Sequence, residues 1–86
     1  MNKCKFLEKL QNNQQNVRYD DFVVLVEAFG FEYDRSKGSH TMYKHTDIPE
    51  IVNIQDNQGQ AKPYQVRQFL GLIKSHNLKL EDVNDV

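Results

Sequence analysis

Eighty-six residues, a formal net charge of −1, 27% charged and 38% hydrophobic side chains describe one small globular domain, residues 1–86. The longest apolar run, Phe22 to Val26, falls far short of the about 20 residues of a membrane span. The first eight residues lack a signal peptide's apolar stretch, so the expected compartment is the cytoplasm, with no membrane partner. Cys4 stands alone, which excludes an intrachain disulfide and a cysteine-built zinc site.

In chain order, Lys3 to Asn12 places Phe6, Leu7 and Leu10 on one helical stripe. Asn12 to Asn16 is polar and reads as a solvated linker. Asp20 to Phe29 is the clearest helix, with Phe22, Leu25, Val26 and Phe29 at i, i+3, i+4 and i+7. Asp20 and Asp21 favour the positive end of its dipole, and Gly30 can take the left-handed conformation that ends it. The period then drops to two. Phe31, Tyr33 and Arg35 alternate with Glu32 and Asp34 as in a half-buried strand. Ser36 to Ser39 is a turn, and His40 to His45 a second strand, which together predict a β-hairpin. Asp47 to Glu50 reads as a connection, Ile51 to Gln55 as a third strand and Asp56 to Gln60 as a loop. Pro63 suits the first position of a last helix with Val66, Phe69, Leu70 and Ile73 on its inner stripe. Lys74 and His76 fall in its final turn, Asn77 suits a left-handed cap, and Leu78 can fold back on it. Glu81 to Val86 reads as a frayed acidic tail. The predicted order is α-α-β-β-β-α, with no internal repeat.

The small net charge conceals segregation. Arg35 to His45 holds Arg35, Lys37 and Lys44 without an acid, and Lys62 to Lys79 holds Lys62, Arg67, Lys74 and Lys79 without one. These windows carry +7, and the rest of the chain −8. Because salt limits the reach of distant charges to about 8–10 Å, such a surface can attract phosphates on a near-neutral protein.

Histidine is the side chain best suited to proton transfer near neutral pH. His76 suits a helix C-terminal charge partner, and His45, at a strand end, a surface position. His40 follows Lys37-Gly38-Ser39, so it leaves a turn whose amides, with an adjacent cation, can hold a phosphate beside the ring. Five strand residues separate His40 from His45, which puts them on opposite faces roughly 16–17 Å apart. They cannot form an acid–base pair. Lys44 shares the face of His40 at roughly 13 Å. Ser39 lacks a triad's third member, and the histidines have no metal-ligand spacing, so no metal or cofactor is expected. Tyr33 and Tyr43 suit either base stacking or cross-strand pairing.

Gly30-Phe31, Arg35, Lys37-Gly38-Ser39-His40, Met42-Tyr43 and His45 together resemble the HicA family of toxins, the ribonuclease partners of HicA–HicB toxin–antitoxin pairs. The resemblance covers residues 17–78. It implies an α+β fold like a double-stranded RNA-binding domain: an α-β-β-β-α core whose three-stranded antiparallel sheet carries its helices on one face. The helix at residues 3–12 would be an addition to that core. It further implies metal-independent cleavage of mRNA with His40 as the catalytic histidine, and silencing by a HicB-like antitoxin. Arg35, Lys37, Gly38, Ser39, Lys44 and Arg67 are the candidate RNA-binding residues. Family members often carry a second histidine after the first, where this chain has Thr41. A different reading is a catalytically silent RNA-binding or protein-interaction domain, which needs cations at this turn but no titrating ring.

Overall fold

The computed structural model describes residues 1–81. The elements run α1 (Lys3–Asn12), α2 (Tyr19–Ala28), β1 (Glu32–Lys37), β2 (His40–His45), β3 (Ile48–Asn57), β4 (Gln60–Ala61) and α3 (Pro63–Ser75). The sheet is antiparallel in the order β1-β2-β3-β4. This is the expected α+β architecture, with one strand more than predicted.

The extra strand lies in the stretch read as a loop. Gln58 and Gly59 both take left-handed backbone angles (φ 55° and 86°), the requirement of a type I′ hairpin, so Asn57 and Gln60 pair across a two-residue turn. The Asp56 carboxylate accepts from the Gly59 amide at 2.8 Å and fixes that turn. The Val17–Tyr19 segment runs alongside β4: Tyr19 N–H donates to the Gly59 carbonyl and Ala61 N–H to that of Val17, each at 2.9 Å. The Asp47–Glu50 connection is also shorter than predicted. Ile48 is buried opposite His45, so β3 begins at Ile48.

The core lies between one face of the sheet and the helices. Phe22, Leu25, Val26 and Phe29 meet Val66, Phe69 and Ile73 from the helices and Phe31, Tyr43, Val52 and Ile54 from the sheet layer, all buried; Leu70 packs at the margin. Phe69 stands at the centre, with the rings of Phe22, Phe29 and Phe31 edge-on at 5.4–5.6 Å. Gln65, the one buried polar side chain among the described residues, accepts from the Gln55 amide at 2.8 Å and ties α3 to β3. α1 adds buried Leu10 and the half-buried Phe6 and Leu7.

The helix ends follow local chemistry. Asp20 and Asp21 occupy the first turn of α2, and Gly30 follows its cap at φ 93°. His76 caps α3, one place beyond its predicted position in the last turn. Asn77 is left-handed (φ 53°), and Leu78 N–H returns to the Ile73 carbonyl at 2.9 Å. Glu81 is not frayed, because its amide donates to the Ala28 carbonyl at 2.8 Å. The remainder of the predicted acidic tail lies outside the described residues.

Candidate functional site

The alternation along β2 sorts its side chains. Thr41, Tyr43 and His45 turn toward the helices: Thr41 Oγ1 accepts from the Tyr19 hydroxyl at 3.1 Å, and Tyr43 is buried. His40, Met42 and Lys44 therefore project from the uncovered face. Register assigns their neighbours: Lys37 lies opposite His40, Arg35 opposite Met42 and Glu32 opposite Lys44 on β1. On β3, buried Val52 and Ile54 leave Ile51, Asn53 and Gln55 on the uncovered side. His40 is half-buried, and its Nδ1 lies 3.0 Å from the Asn53 amide oxygen. Gly38 and Ser39 form the exposed two-residue tip joining Lys37 to His40, with Gly38 at φ 61° as the first residue of such a tip requires.

The register of β1 shifts between Tyr33 and Arg35, so the simple alternation predicted there fails. The shift leaves Asp34 without a directly opposed partner. Its carboxylate pairs with the guanidinium of Arg35 and lies 3.8 Å from Lys44 Nζ. Two of the cations in the acid-free window are thus partly neutralised by an acid just outside it. Lys37, beside His40, has no such carboxylate among the described residues.

The other candidates lie elsewhere. Arg67 is exposed on α3, in the helical layer, and does not share the uncovered sheet face with Lys37 and His40. Tyr33 and Tyr43 pair edge-to-face at 6.3 Å on the helical side of the hairpin, so buried Tyr43 offers no face for a base. His45 is half-buried and tied down rather than a free surface side chain. Its Nε2 donates to the Phe29 carbonyl at 3.1 Å, its Nδ1 accepts from the Asp47 amide at 3.0 Å, and its ring stands edge-on to Phe31. His76 Nε2 donates to Glu50 at 3.0 Å, a partner from β3 that local sequence could not supply. That hydrogen bond is the main cause holding the Glu50 carboxyl below its ordinary value near 4.5.

Asn53 was not among the residues singled out from sequence. Burial alternation around Val52 and Ile54 assigns its face, but its place beside His40 depends on β2–β3 register, which single-sequence periodicity does not specify.

The fold is an α+β domain of the double-stranded RNA-binding type, an antiparallel sheet with helices packed against it. The family model for HicA toxins of bacterial toxin–antitoxin systems matches residues 19–77, from the start of α2 to just past the cap of α3. This chain belongs to the HicA toxin family, whose members are in general mRNA-cleaving ribonucleases and pair with an antitoxin. α1 lies outside the matched span. No curated protein and no solved structure matches the chain significantly.

Proposed function

We propose that this toxin is a metal-independent endoribonuclease that cleaves mRNA in the cytoplasm with His40 as its single proton-transfer group. The observation that carries the reading is the placement of His40: its ring projects from the uncovered sheet face, opposite Lys37 and beside the Gly38–Ser39 tip. RNA brings its own nucleophile. His40 Nε2 takes the 2′-hydroxyl proton as the 2′-oxygen bonds to phosphorus. The bond from phosphorus to the 5′-oxygen breaks, leaving a 2′,3′-cyclic phosphate, and the departing oxygen receives a proton from the imidazolium or from water. Lys37 and the tip amides face the charge that develops on the phosphoryl oxygens. Arg35 and Lys44 would hold flanking phosphates after exchanging Asp34 for them, and Arg67 would act only on RNA that wraps to the helical side.

A HicB-like antitoxin would silence the enzyme by covering His40 and offering carboxylates to Lys37, Arg35 and Lys44. The test is cleavage of a defined mRNA in the presence of chelator by the parent and His40→Ala. Cleavage by the parent alone, yielding cyclic phosphate and 5′-hydroxyl ends, is the expected result. Equal cleavage by both refutes the assignment.

A further inference from the structure

We infer that Asn53 is a positioning residue that selects the tautomer of His40, an inference that rests on the general-base reading above. Asn53 lies opposite Met42 on β3, one diagonal step from His40, and buried Val52 and Ile54 on either side hold its side chain on the same face as the ring. Its amide oxygen is 3.0 Å from His40 Nδ1. An amide oxygen only accepts, so Nδ1 carries the hydrogen. A neutral imidazole has one N–H, which leaves the Nε2 lone pair free for a substrate proton. When Nε2 takes that proton the Nδ1–H···O bond persists and strengthens, because its donor is now charged. Asn53 therefore fixes which nitrogen is basic, orients it, and supports the imidazolium it becomes.

The surroundings explain why this support matters. From β1, His40 faces Lys37, with Arg35 beyond; along β2 the next charge on its face is Lys44. The Asp34 carboxylate on that side is engaged by Arg35 and Lys44. β3 offers Asn53 and Gln55 beside the ring, neither of them charged. Among the described residues near the ring, Asn53 places the acceptor at Nδ1, so the choice of tautomer rests on it.

The experiment combines ring ¹⁵N spectroscopy of His40 with cleavage kinetics for the parent, Asn53→Ala and Asn53→Asp. In the parent, neutral His40 should carry its hydrogen on Nδ1. Asn53→Ala should lose that preference and lower kcat by about 10- to 100-fold, the scale of a misplaced catalytic group, with KM little changed. Asn53 is exposed, so its truncation opens no cavity and melting should stay near that of the parent. Asn53→Asp should restore the Nδ1–H tautomer and move the pH–rate profile upward, since a carboxylate stabilises the imidazolium more than an amide does. A parent ring with its hydrogen on Nε2, or an Asn53→Ala enzyme with unchanged kcat, overturns the inference. Failure of the catalytic reading looks different: His40→Ala would cleave like the parent while the tautomer still followed Asn53.

Discussion

β2 places one histidine at each end, and the two rings differ in what their neighbours leave over. His45 spends both nitrogens on the backbone, one on the Phe29 carbonyl and one on the Asp47 amide, and lays its ring against Phe31. His40 spends one nitrogen on Asn53 and faces outward with the other. The same contrast runs along the strand. Tyr43, facing the helices, has its hydroxyl ionisation pushed up chiefly by burial, whereas Lys44 next to it remains exposed. Residue type does not separate a structural histidine from one available for chemistry. An unspent lone pair on an accessible face does.

The largest expected effect belongs to the inward side. Phe69 is 1% exposed and makes ring contacts with three phenylalanines. Phe69→Ala should cost about 3–5 kcal/mol in urea unfolding. Lys37→Ala, on the outward side, should stay within about 0.5 kcal/mol of the parent. A small cost at Phe69 would mean that the two faces are less distinct than their packing indicates.

The two histidines should dissociate cleanly. His40→Ala should lower cleavage by about 10²–10⁴-fold while leaving the melting curve in place. His45→Ala should cost about 1–3 kcal/mol of stability, because the Phe29 carbonyl and Asp47 amide lose their partners, while the folded fraction keeps its rate. A freely exposed ring at this position would instead leave stability within about 0.5 kcal/mol of the parent. A rate loss at His45 as large as that at His40, in folded protein, would break the comparison.

How much of this was legible in the sequence depended on whether the cause was local. The two helical stripes around Phe22 and Phe69 and the Gly38 tip follow from period and turn chemistry, and all are where that chemistry puts them. β4 was missed because Gln58 is an unusual residue for a left-handed position, and only the following Gly59 hinted at the turn. The sequence pattern makes Asp34 one member of a regular alternation, yet the register shift beside it brings its carboxylate to Arg35 and Lys44. Asn53, the carbonyl facing His45 and the carboxylate facing His76 are partners from distant segments. Periodicity reports which face a residue takes, and pairing register decides whom it meets there.

Asp34 gives a smaller test of the outward face. Asp34→Asn should free Arg35 and Lys44 for phosphates, tighten RNA binding and steepen the salt dependence by roughly 0.7–0.9 for each additional phosphate neutralised. Lys37→Ala should make it shallower by roughly the same amount. Because exposed ion pairs contribute only about 0–1 kcal/mol, neither change should alter melting noticeably. A salt slope indifferent to both substitutions would remove phosphate from the ligands this face can hold.

His76 supplies the smallest effect, as an intermediate case between the two rings of β2. One of its nitrogens is engaged, as at His40, but by an exposed carboxylate. The bond holds the Glu50 carboxyl below its ordinary value near 4.5 in the folded protein. A depressed carboxyl contributes stability that is present above its unfolded value and lost as pH falls through the folded one. Unfolding free energy should therefore decline slightly across the acid side of the carboxylate range, and Glu50→Gln should flatten that decline. Glu50 is exposed, so the difference should shrink further in high salt. Cleavage by Glu50→Gln should match the parent across the same pH range, since the Glu50–His76 pair joins β3 to the end of α3 and touches neither His40 nor its partners. An altered pH–rate profile in this variant would place His76, rather than His40 alone, in contact with the chemistry.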